Sequence, residues 1–209
     1  MSLLGRVWGG DAERKSRFHT RRGDLMPLRE IARLPLYVAR RLGGAQRGPW
    51  MAAGAVRWLD DNLSPEMTLL EFGSGRSTIW YGARVGRVVS VEPDPVWHSH
   101  VVNSAQELTN VEIVEGSIRS AAARLQDTPF DVVVIDHLEG PGDLNRIEVL
   151  ECVGPSTSVV ILDDSDRAHY READRIMSGW EHRRFCSYRD RPLSPTETTI
   201  FTRNVASDP

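Results

Sequence analysis

The stretch Leu69-Leu70-Glu71-Phe72-Gly73-Ser74-Gly75-Arg76-Ser77-Thr78 decides the architecture of this 209-residue chain. An apolar run ends near an acid, breaks into a Gly-x-Gly turn and enters a segment with helical character. A second apolar run, Val88-Val89-Ser90-Val91, follows and ends in another acid, Glu92. This order predicts a strand, a glycine turn, a helix and a second strand, which is how α/β sheets bind adenosine-containing ligands.

The same pattern continues along the chain. Short apolar runs alternate with segments of about ten residues that read as helices, which indicates βαβ units and a parallel sheet. The expected helices are Ser77–Val85, Pro95–Leu108, Ile118–Leu125, Leu144–Val153 and His169–Ser178. The expected strands are Thr68–Phe72, Arg87–Glu92, Val111–Val114, Asp131–Ile135, Ser158–Leu162 and a final pair, Trp180–Tyr188 and Thr198–Arg203. We predict a three-layer α/β sandwich on a mostly parallel seven-stranded sheet, with that final pair as an antiparallel edge hairpin.

Composition limits the kind of protein this is. Hydrophobic residues make up 40% of the chain and charged residues 26%, which is typical of a soluble globular protein. A net charge of −3 gives no strong nucleic-acid signal, and no apolar run approaches the roughly 20 residues of a transmembrane segment. Two cysteines are too few for a disulfide framework. With no apolar leader at the N-terminus, we expect a cytoplasmic protein; its oligomeric state stays open, and a homodimer is one option.

Positive charge is concentrated near the N-terminus. Residues 1–48 carry 11 Arg and Lys against 4 Asp and Glu, whereas residues 49–209 carry 15 against 25. We treat residues 1–48 as a basic extension, mobile over residues 1–23 and partly helical after them, and residues 49–209 as the main domain. The extension could be a solvated tail, a lid over an anionic substrate or a weak contact with a membrane surface.

The glycine turn and its two acids form a candidate cofactor site. In an open α/β sheet, ligands bind beyond the carboxyl ends of the strands, where the strand order reverses. Gly73 and Gly75 let the backbone turn sharply and approach a ligand, and Ser77 begins a helix whose free N–H groups can bind polar atoms. Glu92 lies 21 positions after Glu71, where a carboxylate can accept both hydroxyls of a ribose.

The motif Glu71-Phe72-Gly73-Ser74-Gly75, together with Glu92, resembles the class I S-adenosylmethionine-dependent methyltransferases, which have a Rossmann-like fold. The resemblance covers residues 69–203, and it implies S-adenosylmethionine as the cofactor. Glu71 would lie near the methionine amino group, and Glu92 would bind the ribose. The cofactor-binding residues that the resemblance implies are Glu71, Gly73, Ser74, Gly75, Ser77, Glu92, Gly116 and Ser117. Trp97 or His98 could flank the adenine.

Two further predicted strands end in acids. Asp136 follows one strand, and Asp163 and Asp164 follow the next. Parallel neighbouring strands would bring these carboxylates to one rim, beside the expected methyl donor. Carboxylates are ligands that Mg²⁺ prefers, and a cation there could bind an acceptor hydroxyl and lower its pKa. Direct polar contacts with the substrate or cofactor, and helix capping, are the alternatives.

These strand ends resemble the metal-dependent catechol O-methyltransferase branch of the family. The resemblance implies a Mg²⁺ site formed by Asp136, Asp163 and Asp164, although Asp164 stands where that branch has Asn. Glu139 occupies the position of the branch's lysine base. The expected catalytic residues are therefore Asp136, His137 and Glu139, since His137 adjoins Asp136 and has an intrinsic pKa near neutrality. Arg146 and Arg167 are expected to be exposed helix charges or, alternatively, to bind an anionic substrate.

These observations together favour an S-adenosylmethionine-dependent methyltransferase that O-methylates a small-molecule acceptor. One alternative is an NAD(P)-dependent oxidoreductase on a related fold. Such enzymes typically have the motif Gly-x-Gly-x-x-Gly, whereas this chain has Thr78 at the position of the third glycine. A non-catalytic nucleoside-binding module is the other alternative. The sequence leaves open the identity of the acceptor and the choice between O- and N-methylation.

Overall fold

A computed structural model describes residues 14–43, 48–153, 157–190 and 193–203. Its strands are β1 (Thr68–Phe72), β2 (Arg87–Glu92), β3 (Val111–Glu115), β4 (Phe130–Ile135), β5 (Thr157–Asp163), β6 (Glu181–Asp190) and β7 (Leu193–Thr202). Its helices are α1 (Leu28–Ala32), α2 (Leu34–Gly43), α3 (Ala53–Asn62), α4 (Arg76–Gly82), α5 (Pro95–Ala105), α6 (Ile118–Leu125), α7 (Arg146–Val153) and α8 (Ala173–Ile176), with a 3₁₀ helix at Ala168–Tyr170.

The sheet has the strand order β3-β2-β1-β4-β5-β7-β6. Strands β1 to β5 pair in parallel, while β7 runs antiparallel to both β5 and β6. This confirms the predicted seven-stranded, mostly parallel sheet with an antiparallel edge hairpin. Strand order reverses between β1 and β4, so the carboxyl ends of these two strands border the crevice in which such sheets bind ligands.

Helices cover both faces of the sheet, because successive side chains of each strand point to opposite faces. Leu69 of β1 belongs to a buried cluster with Leu59 of α3. Its neighbour Leu70 belongs to the cluster on the other face, with Leu150 of α7. The predicted three layers are therefore present, and their two cores hold the strand ends in place.

Four of the five predicted helices differ from the observed ones: α4, α5 and α7 are shorter than predicted, and the segment His169–Ser178 is not one helix. Helix α4 ends at Gly82 instead of Val85, and the Asn110 side chain donates to the carbonyls of Gly82 and Val85, each at 2.8 Å. These bonds satisfy carbonyl groups that a helix end leaves free. The segment His169–Ser178 forms a 3₁₀ turn and the four-residue α8. Burial of Tyr170 in the core here outweighs the local preference for one continuous helix.

The described part of the basic extension packs against the edge hairpin. Met26 and Tyr37 form a buried cluster with Tyr188 of β6. Ahead of α1, residues 14–23 were expected to be mobile, but Arg14 and Arg17 donate to backbone carbonyls of β7. The same expectation covered residues 1–13, which lie outside the described ranges. Among the described helices, none has the length and apolar character needed to cross a membrane.

Candidate active site

The glycine turn after β1 packs at Gly73 against the backbone that follows β4. At Gly75 the turn borders open space. Gly73 has a φ of +98°, and a Cβ placed there would lie 2.6 Å from the Cα of His137, so a side chain does not fit. Gly75 has an extended φ of 174°, and its added Cβ would meet nothing nearer than the Ser77 Oγ at 4.0 Å. Gly73 is thus needed by the fold, whereas Gly75 leaves room for a ligand.

Glu71 lies beneath this turn and is 1% exposed. It accepts hydrogen bonds from the hydroxyls of Ser77, Thr78 and Ser90. Ser90 reaches it because the two residues are register partners on β1 and β2. Burial raises the pKa of Glu71 to about 7, although the three hydroxyl bonds act in the opposite direction. The carboxylate is therefore surrounded by neutral donors that only partly stabilise its charge.

Glu92, at the end of β2, faces the glycine turn. One carboxylate oxygen accepts from the Ser74 backbone N–H at 3.2 Å and the Ser74 Oγ at 3.1 Å, and the other accepts from the Asp94 N–H at 3.0 Å. Burial raises the pKa of Glu92 above its usual value. Trp97 closes this side, since its Nε1 donates to the Ser74 carbonyl at 2.8 Å.

Gly116 and Ser117 follow β3 at the same edge of the sheet. Gly116 has a φ of +148° and nothing within 4 Å of an added Cβ, and its N–H donates to the Glu92 carbonyl at 3.2 Å. Ser117 is the N-cap of α6, accepting from the Ser120 N–H at 3.2 Å. We call this group of residues the glycine crevice; its members are Glu71, Gly73, Ser74, Gly75, Ser77, Glu92, Gly116 and Ser117.

A second group of charged residues lies at the carboxyl ends of β4 and β5. Ile135 and Leu162 are register partners, so Asp136 and Asp163 follow neighbouring positions at one rim, as the sequence predicts. We call this group the carboxylate–arginine cluster. Its members are Asp136, Asp163, Asp164, Asp166, Arg21, Arg146, Arg167 and Arg189.

Asp163 and Asp136 differ in exposure but both contact arginine. Asp163 is fully buried, accepts from the Thr198 Oγ1 at 2.5 Å and pairs with Arg189. The Asp136 side chain is 27% exposed, and its Oδ1 lies 3.1 Å from an Arg146 Nη atom. Burial raises the pKa of both carboxyls, and that of Asp163 reaches about 7, although nearby arginines oppose the shift.

Asp164 has the most arginine partners in the cluster. Its oxygens lie 3.2 Å from Arg21, 2.7 Å from Arg167 and 3.0 Å from Arg189. Burial opposes ionisation, but these guanidinium groups hold the pKa of Asp164 well below its usual value. Its φ is +54°, a left-handed conformation that Asp tolerates better than most residues.

Two predicted bases have other partners. His137 is fully buried, and its Nε2 lies 3.0 Å from the Leu144 carbonyl; burial lowers its pKa to about 4. Glu139 accepts from the Tyr170 hydroxyl at 2.6 Å and the Arg146 N–H at 3.0 Å. Burial tends to raise the pKa of Glu139, but the hydrogen bonds outweigh it and the pKa is lowered. His137 is therefore closed to solvent, although its Nδ1 has no hydrogen-bond partner, and one oxygen of Glu139 is held by two protein donors.

The cluster does not fit the expected Mg²⁺ ion. Asp136 contacts Arg146, while Asp163 and Asp164 both contact Arg189, so cationic side chains already lie against the predicted ligands. No group of three or more His, Cys, Asp or Glu side chains within the described ranges is arranged to hold a metal ion.

Sequence reasoning missed most of the arginines. Arg146 was expected to be exposed or to bind an anion, yet it is 3% exposed and bonds within the protein. Arg21 and Arg189 were not predicted at all, because their partners lie 143 and 26 positions away along the chain. The high arginine content of residues 1–48 indicated that this segment could bind acidic groups. It did not identify Asp164 and Asp166 as the partners of Arg21.

Comparison with known proteins finds a matching family for the central part of the chain. Residues 70–165 match the family described as methyltransferase domain. This range includes the whole glycine crevice and the acids Asp136, Asp163 and Asp164 of the cluster. No curated protein matches the chain.

Solved structures share the fold at low sequence identity. An O-methyltransferase from Bacillus cereus, solved with SAH, is 14% identical, with a TM-score of 0.61 over 82% of this chain and 91% of its own. A protein from Klebsiella pneumoniae assigned as an O-methyltransferase is 19% identical, with a TM-score of 0.59 over 82% and 90%. Precorrin-6y C5,15-methyltransferase from Geobacter metallireducens is 17% identical, with a TM-score of 0.57 over 72% and 87%. At these identities the likeness shows the fold.

Proposed function

We propose, on the premise that this chain belongs to the class I S-adenosylmethionine-dependent methyltransferases, that it transfers a methyl group to a hydroxyl of a small-molecule acceptor. The observation that carries this proposal is the glycine crevice, in which two buried acids flank a turn with open space above Gly75. The residues that would bind the cofactor are the eight members of the crevice.

The charge of the crevice supports a cationic ligand. Glu71 and Glu92 are buried with hydroxyl and amide partners, and burial raises the pKa of each. S-adenosylmethionine carries a sulfonium and an ammonium group, which would stabilise ionised carboxylates. Glu71 is therefore suited to the amino group and Glu92 to the ribose hydroxyls, as the resemblance implies.

Glu71 argues against a dinucleotide. A pyrophosphate bound at the N-terminus of α4 would lie close to Glu71, and like charges repel each other strongly in a buried site. Thr78, at the position of the third dinucleotide-binding glycine, is buried and donates to Glu71 at 2.5 Å. These contacts favour a methyl donor over NAD(P).

The reaction needs alignment and a proton acceptor. When bound, the cofactor supplies an activated methyl group, so the protein has mainly to orient the acceptor and deprotonate it. We assign the proton-accepting role to Asp136, because its side chain is partly exposed and its backbone adjoins Gly73. Asp136 would take the hydroxyl proton as the acceptor oxygen bonds to the methyl carbon and the carbon–sulfur bond breaks, which would release S-adenosylhomocysteine. Asp163 and Asp164, buried behind it, would hold the rim in shape.

Calorimetric titration of the purified protein tests cofactor choice. We expect S-adenosylhomocysteine to bind and NADH not to bind. Glu92→Gln should weaken S-adenosylhomocysteine binding roughly 30-fold, because it removes a charged acceptor. The matched control is Glu112→Gln, since Glu112 is an exposed residue on β3 whose side chain pairs with Arg87. Binding of NADH alone, or equal effects of the two substitutions, would contradict the proposal.

A methyl-transfer assay tests the acceptor. Radiolabelled S-adenosylmethionine is incubated with small phenols, sugars, carboxylic acids and amines, and label is measured in each extracted product. The expected result is transfer to hydroxyl compounds. Transfer only to amines would replace O-methylation by N-methylation, and cofactor binding without transfer to any compound would favour the nucleoside-binding module.

A further inference from the structure

Arg146 is a buried cation at the junction of two strand ends. It is the first residue of α7 and is 3% exposed. Its Nε donates to the His137 carbonyl at 3.0 Å, one Nη donates to the Asp163 carbonyl at 2.8 Å, and the other lies 3.1 Å from the Asp136 Oδ1. Each of its three guanidinium nitrogens thus has an oxygen partner.

These three oxygen atoms surround the guanidinium group, one at each of its nitrogens. Two come from residues 136 and 137, just after β4, and one comes from Asp163, the last residue of β5. A carboxylate and two carbonyl oxygens around one centre are the type of ligand set that hard divalent cations prefer. In this protein a guanidinium group lies at that centre instead.

We propose that Arg146 is the positioning cation of this methyltransferase: its guanidinium joins the ends of β4 and β5, orients the Asp136 carboxylate and makes a divalent cation unnecessary. The inference rests on the proposed function only in taking Asp136 as the residue that faces the acceptor. Arg146 itself acts through Asp136 and need not touch the substrate.

The choice of arginine follows from its shape. A guanidinium is planar and presents its donors in a fixed fork, whereas a lysine ammonium is a compact charge on a flexible stem. Three separate nitrogens of the guanidinium reach three oxygens from two strands at once. The single nitrogen of a lysine cannot occupy all three positions. The ring of Tyr170 lies 5.8 Å from the guanidinium carbon. The Tyr170 hydroxyl donates to Glu139, which also accepts from the backbone N–H of Arg146.

Metal titration tests the proposal without any acceptor. Electron paramagnetic resonance measures free Mn²⁺ as it is titrated into wild-type protein and into Arg146→Ala. Wild-type protein should leave 1 mM Mn²⁺ free, because the guanidinium occupies the centre of the oxygen ligands. Arg146→Ala leaves those oxygens without their cation, so it should bind one Mn²⁺, and Asp136→Asn in addition should abolish that binding. Arg124→Ala, which removes an exposed arginine on α6, is the matched control and should behave as wild type.

Thermal unfolding gives a second readout. The melting temperature of wild-type protein should be the same in EDTA and in Mg²⁺. Arg146→Ala should melt roughly 10 °C lower, because the partly buried Asp136 carboxylate and two backbone carbonyls have lost their partner. Guanidinium at 20 mM should restore part of this loss, relative to an equal concentration of sodium chloride. Arg146→Lys should recover less than half of the loss.

The outcomes separate this proposal from the proposed function. Tight Mn²⁺ binding by wild-type protein, or an Arg146→Ala protein that folds but responds to neither Mn²⁺ nor guanidinium, would overturn the role of Arg146. If Arg146→Ala does not fold, the wild-type titration alone decides the matter. Titration with S-adenosylhomocysteine on the same samples reports on the cofactor site, so a failure there would count against the proposed function and not against Arg146.

Discussion

The glycine crevice and the carboxylate–arginine cluster lie at the same edge of one sheet, but their acids have different kinds of hydrogen-bond partners. In the crevice, Glu71 and Glu92 accept hydrogen bonds from hydroxyl and amide groups. In the cluster, Asp136, Asp163 and Asp164 each contact a guanidinium group. Both regions bury carboxylates, yet the cluster supplies internal cations where the crevice supplies neutral donors.

This difference indicates which region needs a charged ligand. An acid buried among neutral donors carries a desolvation cost that a bound cation can relieve. An acid that already contacts arginine has less to gain from an external cation. The crevice is therefore suited to a cationic ligand, whereas the acids of the cluster already have cationic partners, and the experiments below test that contrast.

The largest effect is expected from neutralising an acid of the cluster. Asp164→Asn keeps the size of the side chain and its tolerance of positive φ, but it removes the charge that Arg21, Arg167 and Arg189 contact. The free energy of unfolding should fall by about 4 kcal/mol, measured by urea denaturation. Asp60→Asn, which removes one exposed partner of Arg84, should cost less than about 0.5 kcal/mol.

The pH dependence of this variant sharpens the result. The folded-state pKa of Asp164 is depressed, so its contribution is present above the unfolded pKa of about 3.9 and is lost as pH falls further. The stability curves of wild type and Asp164→Asn should therefore converge below pH 4. Curves that stay parallel through that range would show that the arginines do not hold the charge of Asp164.

The second effect separates the fold from ligand binding within the crevice. Gly73→Ala forces a Cβ to within 2.6 Å of the His137 backbone at a φ of +98°, and it should destabilise the protein by about 3 kcal/mol. Gly75→Ala meets no such contact, so its melting temperature should stay near wild type while its affinity for S-adenosylhomocysteine falls. Equal losses of stability in both variants would refute this assignment of roles.

The third effect has the opposite sign. The folded-state pKa of Glu71 is raised to about 7, so the folded protein loses stability as pH rises from the unfolded pKa of about 4.3 to 7. Glu71→Gln removes this charge and should stabilise the ligand-free protein by about 2 kcal/mol at pH 8, with little change at pH 4. Thermal unfolding at both pH values measures the effect. A Gln variant that is less stable at pH 8 would indicate that Glu71 has a cationic partner.

The smallest effect concerns the closing residue of the crevice. Trp97→Phe removes the hydrogen bond from the indole to the Ser74 carbonyl and should cost about 1 kcal/mol in unfolding free energy. Trp50, which is half exposed, provides the control, and Trp50→Phe should leave stability unchanged. An equal response from both tryptophans would mean that the Trp97 bond contributes nothing.

Local patterns predicted the elements that depend on short stretches of chain. The strands follow from apolar runs that end in acids or glycine, and helix α6 was predicted with its observed bounds. The helix predicted over His169–Ser178 was wrong, because Tyr170 turns into the core and bonds to Glu139. Such a contact joins positions 31 apart, which no local periodicity records.

The acids of the candidate site were predicted for the same reason. Glu71, Glu92, Asp136 and Asp163 each lie at or near a strand end, and parallel strands align their carboxyl ends at one edge. Their partners were not predictable in this way. Whether Asp136 has a metal ion or Arg146 as its neighbour depends on how α7 packs after β4, and that arrangement is absent from the motif.

The sequence alone determined the order of strands and helices, the glycine turn and the row of acids, because each is written in consecutive residues and their alternation. The tertiary structure decided which charges meet. Arg21 reaches Asp164 and Asp166 across more than 140 positions, and Arg146 bonds to the ends of two strands. Electrostatic partners depend on distance in space and on burial, and the folded chain sets both through contacts that are remote in sequence.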